Sequence, residues 1–221
     1  MSSARESYHH GNLRNDLVSA AVRLIEELGE SSFSLREAAR ELGVSANAAY
    51  RHFEDKSALM TAAAANGYEK LAKEMILAMD LALKQKSQER VSVARFKAVG
   101  RAYIEFSAQH PELFRLMFGE CGSKCLRTPP GDEVSSMRDT PWTLLGQSLD
   151  ALVADGVVSA DRRVGAELKA WTVVHGFASL ALDGHSAVSD GKARKGAIES
   201  VLDVAVIGLC GKPFGKAAKK R

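Results

Sequence analysis

The chain has 221 residues, of which 46% are hydrophobic and 26% charged, and a formal net charge of +3. That much apolar material supplies one small and one medium core, whereas no run approaches the roughly eighteen apolar residues of a membrane span and MSSARESYHH has no signal-peptide centre. The expectation is a folded, soluble, cytoplasmic protein with no membrane partner.

In chain order, Leu13, Leu17, Ala20, Ala21, Leu24, Ile25 and Leu28 keep helical spacing up to Gly29, which predicts a first helix with one apolar face. Ser34 followed by Glu37 matches a capping box, so a second helix is expected from Leu35 through Leu42, ended by Gly43. Val44 plugs the turn, and Ser45 caps a third helix over Ala46 to Phe53. Asp55 caps the next, from Lys56 to about Leu83. Further helices are predicted over Ser92 to Gln109, Glu112 to Phe118 behind Pro111, Pro141 to Asp155, Arg162 to Asp183 and Lys192 to Leu209. Residues 119–140 hold Gly, Ser and a Pro pair without periodicity and read as a long mobile loop. No strand series and no internal repeat is visible, so the predicted class is all-α.

The two short helices over 34–53 admit two readings, an ordinary helical corner or a DNA-reading helix-turn-helix. Small residues in the first turn of the second helix let its backbone sit deep in a major groove. The charge there is not basic. Residues 1–56 hold seven Lys or Arg (5, 14, 23, 36, 40, 51, 56) against nine Asp or Glu (6, 16, 26, 27, 30, 37, 41, 54, 55). DNA contact therefore has to come from a few placed cations, helix N-termini and polar groups, not from a positive field. The one dense basic stretch is the tail, Lys212, Lys216, Lys219, Lys220 and Arg221, either a solvated end or a source of nonspecific attraction to DNA.

Tyr8-His9-His10-Gly11-Asn12-Leu13-Arg14, Ala38-Ala39, Gly43-Val44-Ser45, Tyr50-Arg51-His52-Phe53 and Lys56 closely resemble the tetracycline-repressor (TetR) family of bacterial transcription regulators. Trp171-Thr172-Val173-Val174-His175-Gly176 resembles the Trp-His-Gly signature of one C-terminal class in that family. The resemblance implies an all-helical homodimer. Residues 1–56 would form a three-helix DNA-binding domain, 57–211 a larger effector-binding and dimerisation domain, and 212–221 a basic flexible tail. Ala49 departs from the usual Leu, Ile or Pro before the Tyr, and Asn47-Ala48 gives the reading helix its own face.

On this basis Ala46 and Asn47 are candidates for base edges, the methyl toward thymine and the amide toward adenine. Family counterparts place Tyr50, His52 and Lys56 on phosphates, contacts that set register; Ser45 adds a hydroxyl, Arg51 is a further DNA-binding candidate, and Arg36 matches a position that in relatives reaches a base or a phosphate. Phe33, Val44 and Phe53 read as core. In the C-terminal half, Tyr103, Phe106, Phe114, Met117, Phe118, Trp142, Trp171 and His175 are enough to line a cavity for a small, largely apolar or aromatic effector. His175 reads either as a packed, hydrogen-bonded core residue or as a polar anchor. Phe177 and Leu180, with Ala197, Val201, Val204 and Gly208 on the last helix, are the expected dimer face.

Cys121 and Cys125, four apart in the expected loop, offer accessible thiols and hence an alternative trigger, while Cys210 reads as buried. Nothing nearby completes a zinc set. There is no phosphate loop, nucleophile elbow or paired-His motif, so no catalysis, cofactor or metal is expected. The functional expectation is a ligand-responsive repressor of a pseudo-palindromic double-stranded DNA operator. Its contrasts are a thiol-responsive regulator and a helical ligand-binding protein without a DNA role.

Overall fold

The computed structural model describes residues 12–84, 89–127, 139–184 and 191–211. Tyr8 to Gly11 of the N-terminal motif, the basic tail and residues 128–138 of the expected loop lie outside the described residues. All regular elements among the described residues are helical, and none of these helices is long and apolar enough to cross a membrane. The chain forms two compact units: residues up to Glu69 with 110–137, and residues 70–109 with 138–221.

In the first unit α1 (Leu13–Ser32) buries Leu17, Ala20, Ala21 and Ile25 completely. Its helical path breaks at Gly29, whose φ of 76° is open to glycine without strain. Helix α2 (Leu35–Glu41) starts on Ser34, whose Oγ accepts from Glu37 N at 3.2 Å and donates to Glu37 Oε2 at 2.9 Å. It ends on Gly43 at φ 67°, with Gly43 N bonded to Arg40 O and Val44 N to Ala39 O, both at 3.0 Å. These two bonds form a Schellman motif, which satisfies the last carbonyls of α2 and turns the chain sharply. Ser45 then accepts from Ala48 N at 3.2 Å and opens α3 (Ala46–Tyr50). The regular helix ends sooner than the spacing predicts, and residues 51–52 continue as a turn in which His52 N and Phe53 N both bond to Ala49 O. Asp55 caps α4 (Lys56–Lys84) through Ala58 N at 2.7 Å.

The same unit contains α6 (Pro111–Phe118) and α7 (Glu120–Arg127), formed by residues assigned from sequence to the C-terminal domain. Helix α7 corrects the predicted loop, since residues 120–127 are helical. Its contact with α6 is made by backbone: a Cβ on Gly122 would lie 1.8 Å from Met117 O. A glycine serving as a contact residue leaves no apolar periodicity to detect. Tyr68 Oη donates to Met117 O at 2.6 Å, and Gly67 makes room for the Met117 side chain.

In the second unit α5 (Val91–Gln109) packs against α8 (Pro141–Ala154), α9 (Ala166–Leu182) and α10 (Gly191–Cys210). Phe96, Leu149, Leu152, Ala170, Ala205 and Leu209 share one core. Thr140 and Thr143 cap α8 reciprocally. Helix α9 starts later than predicted because Ala160–Arg162 form a 3-10 turn and Gly165 takes φ 69°. Arg162 folds back to donate to Leu209 O and Gly208 O at 2.7 and 2.9 Å, closing the end of α10.

Candidate nucleic-acid interface and effector region

Helix α3 has an inner and an outer side. Ala49 is fully buried and Phe53 nearly so, whereas Ser45, Asn47, Tyr50, Arg51 and His52 are exposed and Ala46 is half-buried. Ala49, which stands where a larger apolar residue or Pro is more usual, packs inward. Arg36, in the first turn of α2, is exposed as well. The expected reading residues are thus exposed, apart from the half-buried Ala46 and Lys56. The Lys56 amine donates to Glu30 O at 2.8 Å and lies 5.8 Å from the Phe33 ring centre. Arg14, on the first turn of α1, stacks over Phe53 at 5.0 Å, so a cation covers each of the two buried rings. Phe33 and Phe53 are core as expected, and Val44 is half-buried.

The expected effector residues fall into two groups. In the second unit Trp171 Nε1 donates to Tyr103 Oη at 3.1 Å, and Tyr103 Oη lies 2.7 Å from His175 Nδ1. An indole N–H only donates, so the phenol oxygen accepts from Trp171, and in the tautomer that leaves Nδ1 bare its own hydrogen goes to Nδ1. That arrangement suits a neutral imidazole, and burial pushes the His175 pKa down. The rings of Trp142 and Trp171 meet edge to face at 6.2 Å, and Trp171 lies tilted on His175 at 5.1 Å. Trp142 remains half exposed, while Phe106 is fully buried. In the first unit Phe114 and Phe118 pack at 4.7 Å, Phe118 meets Tyr68 edge to face at 5.7 Å, and Met117 is buried beside them. A cleft of about 240 Å³ in the second unit, between α4 and α5, contains none of these residues. Its cations are already paired, Lys97 with Glu89 and Asp203 and Arg101 with Glu199.

Three expectations are corrected. Cys121 is buried on α7, its Sγ 4.0 Å from Ser57 Oγ, so it is not an accessible loop thiol; the Cys125 side chain lies outside the described residues. Cys210 is exposed at the end of α10, because the inward position there belongs to Leu209. Phe177 is buried within its own chain and offers no free surface to a second copy. The outward stripe of α9 is Leu168, Thr172, Gly176 and Leu180, and that of α10 is Gly196, Ser200, Val204 and Gly208 with Ile207 beside it. Ala197 and Val201 are half-buried next to the second stripe. Four-residue spacing makes both stripes visible in the sequence, but only the packing of the opposite faces shows which stripe turns outward.

Residues 17–63 match the profile of bacterial regulatory proteins of the tetR family, and residues 96–204 that of the tetracyclin repressor-like C-terminal domain. A protein of unknown function from Rhodococcus sp. RHA1 has the same fold, with 29% identity and a TM-score of 0.73 over 94% of this chain and all of that one. A TetR-family transcription regulator from Marinobacter aquaeolei VT8 aligns with 17% identity and a TM-score of 0.59 over 91% of this chain and 97% of that one. A TetR variant from Acinetobacter baumannii AYE, solved in complex with minocycline, aligns with 21% identity and a TM-score of 0.58 over 91% and 96%. No curated protein matches the chain in sequence.

Proposed function

Because the chain belongs to the tetracycline-repressor (TetR) family of bacterial transcriptional regulators, we propose that it is a repressor, released from a pseudo-palindromic operator by a small, largely apolar or aromatic effector. The observation that carries the DNA reading is the outward row Ser45, Asn47, Tyr50, Arg51 and His52 on a capped helix whose inner side is buried. Asn47 and Ala46 read base edges. Ser45, Tyr50, Arg51 and His52 bind phosphate oxygens, and Arg36 reaches a base or a phosphate from α2. The effector reading is supported by the bonded group of Tyr103, Trp171 and His175 with the half-exposed Trp142 beside it. An aromatic wall with one or two polar anchors suits a small flat molecule.

Dimerisation through α9 and α10 is supported by the outward stripes. Leu168, Leu180, Val204 and Ile207 are at least half exposed. A Cβ on Gly176, Gly196 or Gly208 would meet nothing within 4 Å. A glycine inside a helix costs roughly 0.5–1 kcal/mol relative to alanine, and close approach by a second copy offsets that cost.

The test is selection of duplexes from a randomised pool by the purified protein. Enrichment of an inverted repeat with half-sites about one helical turn apart, or a multiple of it, is expected; an enriched lone half-site, or no enrichment, sinks the reading. Aromatic compounds that displace the selected duplex then identify the effector class. Trp142→Ala should weaken their effect without changing affinity for the duplex, and an unchanged dose response removes Trp142 from the pocket.

A further inference from the structure

The second unit has a cleft of about 240 Å³ that neither DNA reading nor the aromatic group uses. Ala78, Leu81 and Ala82 line it from α4, and Ala94, Ala98 and Ala102 from α5. Methyl groups are too short to close the space between the two helices, and Leu81 stays half exposed instead of filling it. Water in such a slot meets apolar walls and is displaced favourably by an apolar body. On α5, Ala94, Ala98, Arg101 and Glu105 follow one another at helical spacing, whereas Tyr103 lies on the opposite side of the helix. The cleft is therefore separate from the group of Tyr103, Trp171 and His175.

The charged residues of the cleft and their ion partners carry an excess of carboxylate. The Lys97 amine donates to Glu89 Oε1 at 2.6 Å and lies 2.7 Å from Asp203 Oδ1. Arg101 donates to Glu199 Oε1 through Nε and Nη2, at 2.8 and 2.6 Å. Glu105 lines the same cleft, is exposed, and has no hydrogen-bonding or ionic partner among the described residues. Four carboxylates thus stand against two cations, a formal charge of −2. Burial opposes the charge on Lys97, but its bonds to Asp203 and Glu89 outweigh that and raise its pKa, so carboxylates dominate even around the more enclosed cation. Lys97 and Arg101 each keep donors to spare, and the sign of charge that the cleft prefers is set by the sum of its groups, not by either cation alone.

We propose that this cleft is a binding site for a small organic monocation with an apolar body, an alkylamine in class, whose ammonium is drawn to Glu105 while its chain lies along the alanines. The site is independent of the DNA and effector readings and stands or falls without them.

The probe is hexylamine, compared with hexanol and hexanoate, which carry the same chain without charge and with the opposite charge. Binding is followed on the full chain through the methyl NMR signals of alanine-labelled protein. Hexylamine should shift the signals of Ala82, Ala94 and Ala98 to saturation and bind about fivefold more tightly than hexanol, with hexanoate weaker still. Glu105→Gln, a change of charge without shape on an exposed side chain, should remove most of that preference and leave hexanol binding as it was. Ala82→Leu and Ala94→Leu fill the cleft from opposite walls, and each should abolish the shifts of the remaining alanines. Trp142→Ala should leave hexylamine binding unchanged.

The proposal is overturned by hexylamine that gives no saturable shift at these alanines, or that binds no better than hexanol or hexanoate. An unchanged preference in Glu105→Gln overturns it too, and that variant decides the matter if the leucine variants do not fold. Binding that survives both leucine variants, or that Trp142→Ala removes, places the amine elsewhere and overturns the proposal as well.

Discussion

The two compact units differ in the side chains that they leave uncovered. In the first, Ser34, Ser45 and Asp55 sit at helix starts and each accepts a backbone N–H, and the outer side of α3 is polar and uncovered. In the second, Trp171, Tyr103 and His175 turn their polar atoms toward one another, and the outward stripes of α9 and α10 carry Leu168, Leu180, Val204 and Ile207. A surface of amides, hydroxyls and single cations suits a hydrated, charged partner whose bonds are exchanged with water. A surface of aliphatic side chains and bare glycines suits a partner that removes water altogether. On the proposed function, the two recognition tasks fall to units of different surface chemistry.

The sharpest way to break this contrast is to put a charge on the apolar side. Val204 is 57% exposed, so Val204→Glu is tolerated in a lone chain, but a carboxylate enclosed between two copies is left unpaired. Light scattering should show monomers, and affinity for the selected duplex should fall by a factor on the order of 100 or more, because two linked reading heads gain that much from each other. A wild-type monomer that binds as tightly as before would remove the dimer from the account. On the polar side, Asn47→Ala should lose about 1–3 kcal/mol at one base position while leaving other sequences unaffected. Equal loss on every duplex would take Asn47 out of base readout.

Two glycines sharpen the comparison at the level of backbone. Gly43 needs its positive φ and nothing else, since a Cβ there would meet no atom within 4 Å. Gly43→Ala should therefore cost only the left-handed penalty, about 1–2 kcal/mol in urea unfolding. Gly122 has no room for a Cβ against Met117 O, so Gly122→Ala must displace backbone and should cost more. The opposite order would mean that the α6 to α7 contact yields more easily than its geometry indicates.

The same pair explains how much of the molecule was legible in sequence. Ser34, Glu37, Gly43, Ser45 and Asp55 act within four residues of themselves, through caps and turns whose chemistry is local. The reading unit could accordingly be laid out nearly to the residue, and the outward placement of Asn47, Tyr50, Arg51 and His52 followed from it. The errors fell where a residue's role depends on a distant partner. Gly122 makes α7 possible by meeting Met117, and Phe177 faces its own core although its neighbours suggested a dimer face. The aromatic residues were found as a set but not as two groups, since periodicity places them on helix faces without saying which faces meet.

The smallest expected effect tests the inward polarity of the second unit. Burial holds the His175 pKa below its ordinary 6.5, so the folded chain prefers the neutral ring more strongly than the unfolded chain does. Between the two values the unfolded state binds more protons, and stability rises with pH there. This contribution is fully present above pH 6.5, declines as pH falls through that value, and is gone below the lowered folded value. His175→Gln still accepts from the Tyr103 hydroxyl but does not titrate. Urea midpoints taken from pH 7.5 down to 5 (roughly the range over which imidazole ionises) should fall less steeply in the variant than in wild type. The difference should be modest, because the ring is only half-buried and solvent moderates the cost of charging it. Parallel acid slopes in the two proteins would mean that the ring can leave Tyr103 and charge in water, and the bonded aromatic group would then be a loose surface feature, not a fixed wall for an effector.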